Sequence, residues 1–249
     1  MTKGRRPAAI VYGRNPVREA LLAGTPVRRV LLAEGVQHDQ RLAEIQELAT
    51  SHAVEVETVD RRRLDDIAHT QTHQGVLAYV GRRRYLELDE LLESAVEDTV
   101  LVVLDGIQDP QNLGGIIRTA EAAGVAGVIF PRHRAAEVTP AVAKASAGAV
   151  EHMQLVQVGG VPQALERLKA AGFWVVGLAA EAETVYHDAR LTGRVAVVIG
   201  AEGEGLHRLA AVRCDQLLRL PMLGHVTSLN AGAAAAIVIY EVLRQRQGK

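Results

Sequence analysis

The feature that most constrains the fold of this 249-residue chain is a recurrence of short apolar runs rich in β-branched residues. In the second half of the chain these runs alternate with segments of helical length. Strands joined by helices pair in parallel, and a parallel sheet is covered on both faces. The pattern therefore predicts an α/β fold with a mostly parallel sheet. The predicted strands are residues 100–104, 125–130, 154–158, 173–178, 195–199 and 216–220.

Residues 1–82 repeat the alternation on a smaller scale and predict a separate small α/β domain. Residues 83–99 then pass from three arginines into an acidic stretch with few β-branched residues. We interpret this stretch as a linker, so that residues 100–249 form the second domain. In the first domain, strands are expected at 27–32, 54–59 and 75–80, and helices at 16–22, 40–49 and 62–68.

Composition excludes several classes of protein. The single cysteine, Cys214, excludes an intramolecular disulfide, a Cys-rich zinc site and a Cys-x-x-Cys redox pair, and it favours a cytoplasmic location. The longest apolar runs are far shorter than a membrane span. The nine histidines are not grouped with the spacing of metal ligands. We therefore expect no metal and no membrane partner.

Charge is nearly balanced overall but uneven along the chain. The net charge is −1, so a polyanionic partner would be held only by local basic patches. Residues 1–35 carry seven basic residues against two acidic ones, and residues 61–63 and 82–84 are arginine triplets. Aromatic residues make up only 3% of the chain, which argues against a surface that stacks bases. Charge alone leaves two interpretations open: a solvated surface, or an RNA-binding domain that uses shape and phosphate contacts.

Three stretches of the second domain could carry chemistry, and the first of them follows a predicted strand and opens a helix. Asp109-Pro110 is typical of a turn, and Asn112 is a suitable N-cap for the helix. Arg118 follows six residues later. Taken alone, this stretch indicates a capped helix with an exposed arginine.

The other two stretches also have simple structural interpretations. VIGAEGEGL places glycines and glutamates directly after a buried strand, where open α/β sheets bind ligands. Its Gly-x-x-Gly-x-Gly spacing is the reverse of a dinucleotide-binding loop. The third stretch places Thr227, Ser228 and Asn230 before an Ala-rich helix, and by itself it indicates only a group of N-capping residues.

Together the stretches resemble a known family. NLGGIIRTAEAAG, VIGAEGEGL, and LPM followed by SLN, in this order and spacing, resemble the three signature motifs of the SpoU family of RNA ribose 2′-O-methyltransferases, in the SPOUT superfamily. IVYGRNPVREALLAG and GVLAYV are similar to the ribosomal-protein-like substrate-binding domain of bacterial large-subunit rRNA guanosine 2′-O-methyltransferases. The resemblance implies a small RNA-binding α/β domain, followed by a SPOUT α/β domain whose C-terminal trefoil knot closes an S-adenosylmethionine pocket.

The resemblance also implies roles for individual residues. Methyl transfer from S-adenosylmethionine to a ribose 2′-OH would use Asn112, Arg118 and Glu202 as catalytic residues. Arg118 would clamp phosphate and stabilise the developing alkoxide, and Arg14 and Arg118 would bind RNA. The residues implied to bind the cofactor are Ile199, Gly200, Leu220, Met222, Ser228, Leu229 and Asn230. Gly200 would permit close approach of the cofactor.

We therefore expect a cytoplasmic homodimer that methylates a guanosine of 23S rRNA, in free rRNA or in a ribosome assembly intermediate. The nearest alternative is the same reaction on tRNA. Another alternative is a noncatalytic RNA-binding protein of ribosome assembly, against which the intact motif residues argue. A nicotinamide-dependent dehydrogenase is disfavoured, because the acidic residue that usually follows a dinucleotide-binding loop is missing.

Overall fold

The computed structural model of the protein describes residues 9–133 and 135–247. Within these residues the chain divides into two compact units. The first unit comprises the described residues of Met1–Arg84 and Val138–His152, and the second those of Tyr85–Glu137 and Met153–Lys249. None of the described helices combines the length and the apolar character that crossing a membrane requires.

Strands and helices are numbered in chain order. The strands are β1 (Ala9–Tyr12), β2 (Val27–Ala33), β3 (Glu55–Val59), β4 (Val76–Val80), β5 (Val100–Asp105), β6 (Gly127–Pro131), β7 (Leu155–Val158), β8 (Trp174–Leu178), β9 (Thr184–Val185), β10 (Val195–Gly200) and β11 (Gln216–Arg219). The helices are α1 (Arg14–Leu22), α2 (Gln40–Ser51), α3 (Arg61–Ala68), α4 (Leu88–Glu93), α5 (Pro110–Ala122), α6 (Pro140–Ala145), α7 (Val161–Ala170), α8 (Arg208–Arg213) and α9 (Ala231–Gln247).

The first unit is built on a four-stranded sheet with the strand order β1-β4-β2-β3. β4 runs antiparallel to β1 and β2, whereas β2 and β3 are parallel. Strand alternation directs Leu31 and Leu77 to the same cluster as Leu64 of α3, and all three side chains are fully buried. The strands and helices predicted in residues 1–82 are confirmed, and β1 is an additional strand.

A segment that the sequence assigned to the second domain packs in the first unit. Residues Val138–His152, which include α6, belong to the first unit. Their Glu151 is held at both carboxylate oxygens: Arg83 Nη2 donates to Oε1 at 2.5 Å, and Thr25 Oγ1 donates to Oε2 at 2.9 Å. Because Thr25 lies 126 positions from Glu151, no local pattern could predict this contact. The predicted domain 100–249 is therefore interrupted by a piece of the first unit.

Residues 83–99, predicted as a linker, lie partly within the core of the second unit. They contain α4, whose Leu88 and Leu91 are buried there. The N–H of Glu87 donates to Glu90 Oε2 at 3.1 Å and caps the first turn of this helix. The acidic composition concealed the helix, since its core leucines are only two among many charged residues.

The second unit is built on a seven-stranded sheet with the order β7-β6-β5-β10-β8-β11-β9. Each pairing between its described strands is parallel. Leu101 and Val103 pack in one cluster with Leu165 of α7, while Val102 and Leu104 point to the opposite face and are equally buried. The predicted parallel sheet covered on both faces is confirmed. β10 lies between β5 and β8 and is parallel to both. The carboxyl ends of these three strands therefore lie at the same edge of the sheet.

Candidate functional site

A cavity lies at this edge of the second sheet, where β8, β10 and β11 end. Its lining is mostly apolar side chains and backbone, with the hydroxyl groups of Thr227 and Ser228 and the carboxylate of Glu202 as polar groups. The lining residues are Leu178, Ala179, Ala180, Ile199, Gly200, Ala201, Glu202, Gly203, Gly205, Leu218, Leu220, Met222, Thr227, Ser228, Leu229, Ala231 and Ala234. This lining contains all but one of the predicted cofactor residues: Ile199, Gly200, Leu220, Met222, Ser228 and Leu229.

Asn230, the remaining predicted cofactor residue, does not line the cavity. Its side chain instead forms a hydrogen bond with Glu202, which does. Its Nδ2 donates to Glu202 Oε2 at 3.2 Å and to Asn112 Oδ1 at 2.6 Å. Asn112 Nδ2 in turn donates to Glu202 Oε2 at 3.1 Å. The three side chains, one from each sequence motif, therefore form a closed set of hydrogen bonds, which we call the amide–carboxylate ring. Such a network orients its members more firmly than separate pairs do.

Asn112 enters the ring from the first turn of α5. The predicted N-cap at Asn112 is wrong, because Asp109 caps this helix: its carboxylate accepts the N–H groups of Gln111 and Asn112. Pro110 follows at the first helical position, where its missing N–H costs no hydrogen bond. The carboxylate of Asp109 thus leaves the buried side chain of Asn112 free to reach Glu202.

Asn230 enters the ring from the start of α9. Its Oδ1 accepts the N–H of Gly232 at 3.0 Å and that of Ala233 at 3.3 Å. These are the contacts of a helix N-cap, as the third stretch of the sequence indicated. The side-chain oxygen of Asn230 therefore caps α9, and its side-chain nitrogen donates the hydrogen bonds of the amide–carboxylate ring.

Glu202 is carried by a tight turn that follows β10. Ala201 and Gly205 exchange backbone hydrogen bonds at 3.0 and 2.9 Å and close the turn. A Cβ on Gly200 would overlap the carbonyl group of Gly205. The close approach at Gly200 in this structure is that of the chain's own turn. Gly200 also lines the cavity, so close approach of a cofactor at this glycine stays a prediction.

Several lining residues were missed by sequence reasoning. Leu178 ends β8, Ala179 and Ala180 follow it, and all three line the cavity. The available signal was the carboxyl end of a buried parallel strand followed by two small residues, but that signal also occurs at many ordinary strand ends. Only the neighbouring position of β8 and β10 in the sheet brings this segment to the site.

Arg118 is exposed and does not line the cavity. It follows Asn112 by six positions, which places it about 240° around α5 and on another face of the helix. Within the described part of the chain, the side chain of Arg118 has no hydrogen-bond partner and no ion-pair partner. Its guanidinium is therefore available to a partner from solution.

Arg14, predicted to bind RNA, is engaged within the first unit. Its guanidinium forms an ion pair with Asp39 and donates to the carbonyl oxygen of Gln37 at 2.7 Å. The N–H of Leu42, and after it Arg14, lower the pKa of Asp39 below its ordinary value. Arg14 nevertheless borders an open cavity that Arg41 and Arg61 also line.

In residues 9–133 and 135–247, no group of three or more His, Cys, Asp and Glu side chains is arranged to hold a metal ion. The side chains at the described site supply one carboxylate, two amides and hydroxyl groups.

Comparison with known proteins identifies the family of the chain. The model of the SpoU rRNA Methylase family matches residues 99–240, which is more than half of the chain. The chain belongs to this family. A second family model, described as RNA 2′-O ribose methyltransferase substrate binding, matches residues 10–86 of this SpoU family member. The resemblance drawn from the three motifs is thus confirmed.

Relatives of this SpoU family member match both halves of the chain. A putative TrmH family tRNA/rRNA methyltransferase of Staphylococcus aureus is 41% identical over 240 residues, which cover 95% of this chain and 96% of the relative. The crystal structure of the SpoU methyltransferase AviRb from Streptomyces viridochromogenes, in complex with the cofactor AdoMet, is 29% identical with a TM-score of 0.80 and covers 96% of this chain and 91% of that chain. The A. aeolicus TrmH/SpoU tRNA modifying enzyme is 27% identical with a TM-score of 0.56, and covers 65% of this chain and 81% of that chain.

Proposed function

We propose that this protein transfers a methyl group from S-adenosylmethionine to a ribose 2′-OH of RNA. The observation that carries the proposal is the amide–carboxylate ring, in which Asn112, Glu202 and Asn230 of the three family motifs meet beside one cavity. Membership of the SpoU family and the similarity to AviRb, whose structure contains AdoMet, support it.

The cavity residues fit S-adenosylmethionine. Leu220, Met222 and Leu229 provide an apolar surface that suits an adenine ring, and the backbone at these positions can pair with the edge of the base. Glu202 supplies a carboxylate, which suits a ligand that carries a positive charge. S-adenosylmethionine supplies an activated methyl group on a sulfonium centre, so the protein has mainly to align the acceptor and to lower the cost of its deprotonation.

Residues of the three motifs divide this task. Arg118, exposed and without an internal partner among the described residues, would bind a phosphate of the substrate and stabilise negative charge on the ribose oxygen. A guanidinium stays protonated in proteins, so we assign it no role as a base. Asn112 and Asn230 would hold Glu202 in place through their donated hydrogen bonds.

For the RNA, we propose a guanosine of 23S rRNA, in free rRNA or in an assembly intermediate. The A. aeolicus enzyme named for tRNA covers only 65% of this chain, whereas a substrate-binding family model matches residues 10–86. An additional RNA-binding unit supports a larger target than tRNA. Transfer to tRNA remains the alternative, since the Staphylococcus relative is named for both RNAs.

We also propose that the protein is a cytoplasmic homodimer with the trefoil knot implied by the family resemblance. Self-association is supported by large apolar side chains exposed on the segment before α9 and on α9 itself. Leu223 is 98% exposed and Val226 66%, and Tyr240 on the helix is 48% exposed. Exposed apolar side chains on this segment and on the helix that follows it offer a surface that a second copy of the chain would bury.

The proposal is tested in two steps. First, the purified protein is titrated by calorimetry with S-adenosylmethionine and, separately, with a nicotinamide cofactor; binding of the first alone is expected. Second, 2′-O-methyl sites in rRNA and tRNA are mapped in cells with and without the protein, and one rRNA guanosine is expected to lose its methyl group. Loss of a tRNA methyl group would favour the alternative, and unchanged methylation of both RNAs would favour a noncatalytic assembly protein.

A further inference from the structure

Asp105 is the last residue of β5, and its carboxylate is buried beside the turn that carries Glu202. Its side chain is only 7% exposed. Oδ2 accepts the backbone N–H of His207 at 2.8 Å, and Oδ1 lies 3.0 Å from Nδ1 of the His207 imidazole. Gly106 has a φ of +82°, and a Cβ there would lie 2.9 Å from Cε1 of His207. The absence of a side chain at Gly106 therefore leaves room for the His207 ring beside Asp105.

The turn between β10 and His207 is held at both ends by Asp105. At its beginning, Gly200 is the direct register partner of Asp105 in the sheet. At its end, the N–H of His207 donates to the Asp105 carboxylate. Between these points Gly203 and Gly205 have φ values of +80° and +69°. Glycines in this region give a turn conformational freedom, so its position depends on what holds its ends.

We propose that Asp105 is a positioning residue, which fixes the turn 201–205 so that Glu202 meets Asn112 and Asn230. Gly203 and Gly205 of the same turn also line the cavity, so the position of the turn determines the shape of the pocket as well. The inference rests on the proposed function, because it assigns Asp105 to the site where that function is performed.

The backbone contact of His207 carries most of this effect. A hydrogen bond to a carboxylate is stronger than one between neutral groups, and a part-buried backbone N–H that loses its acceptor is left with the cost of desolvation. The imidazole contributes less, since the side chain of His207 is 62% exposed and competes with water. Loss of the Asp105 carboxylate should therefore release the turn, whereas loss of the imidazole should not.

The same unit offers a matched control in Asp215. Its Oδ2 accepts the N–H of Val175 at 2.9 Å and its Oδ1 pairs with Lys169 Nζ at 2.7 Å. Asp215 thus makes the same two kinds of contact as Asp105, but it does so at the amino end of β8, whereas the cavity lies at the carboxyl edge. Asp215→Ala therefore measures how the loss of a carboxylate with these two contacts affects the second unit away from the cavity.

The experiment compares wild-type protein with Asp105→Ala, Asp105→Asn, His207→Ala and Asp215→Ala. For each protein we measure amide hydrogen exchange and, by calorimetry, the affinity for S-adenosylmethionine. We also measure single-turnover methyl transfer at saturating cofactor and RNA. For Asp105→Ala we expect faster amide exchange confined to residues 201–207. We also expect a methyl-transfer rate about tenfold or more below that of Asp215→Ala, because a hydrogen bond to a charged group is lost. Asp105→Asn keeps an oxygen for the N–H of His207 and should recover most of the rate, and His207→Ala should stay within about twofold of wild type.

Three results would overturn the proposal. The first is a rate in Asp105→Ala equal to that of Asp215→Ala, and the second is a loss of rate without faster exchange in residues 201–207. The third is a failure of Asp105→Asn to recover the rate, since the hydrogen-bond acceptor is then not what matters. If wild-type protein neither binds S-adenosylmethionine nor methylates RNA, the proposed function fails, but the exchange comparison still tests how Asp105 holds the turn.

Discussion

Nδ2 of Asn230 donates to Oδ1 of Asn112 at 2.6 Å, although the two residues are 118 positions apart in the chain. Both amide nitrogens also donate to the same oxygen of Glu202. The beginning of α5, the turn after β10 and the beginning of α9 are thereby tied together. Since each member of the ring contacts the other two, substitutions at these positions should not be additive.

Asn230 combines two roles that substitutions can separate. Asn230→Ala removes both the cap of α9 and the ring, so we expect a loss of about 1 kcal/mol in the free energy of unfolding and a loss of methyl transfer. Asn230→Asp keeps the capping oxygen but places a second carboxylate beside Glu202, so it should be more stable than the alanine variant and equally inactive. Urea unfolding and single-turnover assays measure the two effects. Full activity of Asn230→Asp would show that the ring is not needed.

Arg118 should matter for turnover and not for folding. Arg118→Ala is expected to change the free energy of unfolding by less than about 0.5 kcal/mol, because the side chain is exposed. It should lower the single-turnover rate by about a hundredfold, as loss of one transition-state donor does. Lysine should restore little, since it lacks the planar fork that holds two phosphate oxygens. Arg190→Ala, another exposed arginine of this unit that does not line the cavity, is the control. Near-normal turnover of Arg118→Ala would leave this residue as a solvated surface group.

Gly200→Ala should destabilise the turn that follows β10. The added Cβ would overlap the carbonyl group of Gly205, so the turn must shift and the protein should lose about 1–3 kcal/mol of stability. Affinity for S-adenosylmethionine should fall with it, because the turn lines the cavity. Gly159→Ala is the control, since a Cβ at Gly159 would meet no atom within 4 Å. Equal stability and affinity in the two variants would contradict the close approach of Gly200 and Gly205.

Cys214 should be unreactive in the folded protein. Burial, and after it the charge of Asp215, raises the pKa of the Cys214 thiol to about 12. At pH 8 only about one thiol in ten thousand is then ionised, and the thiolate is the reactive form. We expect no reaction with an aromatic disulfide reagent at pH 8 within minutes, and complete reaction after unfolding in urea. Fast reaction of the native protein would show that the thiol is accessible and ionised.

Removal of residues 1–96 should do more than remove an RNA-binding unit. It takes away Arg83 and Thr25, which hold Glu151, so residues 138–152 lose the partners they pack with. We expect lower thermal stability as well as lower RNA affinity in the shortened protein. Arg61→Glu in the complete chain is the cleaner test, since it should weaken RNA binding in a salt-dependent way with little change in stability. Unchanged RNA affinity in both proteins would exclude the first unit as a substrate-binding unit.

The sequence by itself determined most of the strands and helices in both units and the parallel character of the second sheet, but not β1, α4 or β9. These features follow from local apolar periodicity, which depends on residues that are neighbours in the chain. The three motifs also pointed to the residues around the cavity, but through a family resemblance and not through any pattern of their own. Taken alone, each motif indicated only a capped helix or a turn.

Only the tertiary structure decided which of these residues meet. The sheet order places β10 between β5 and β8, and this brings Glu202 to Asn112, and His207 to Asp105. It also showed that Asp109 caps α5, and that residues 138–152 pack in the first unit. The physical reason is that a local pattern reports whether a residue is buried and which backbone conformation it prefers, whereas its partners are set by how distant strands pair.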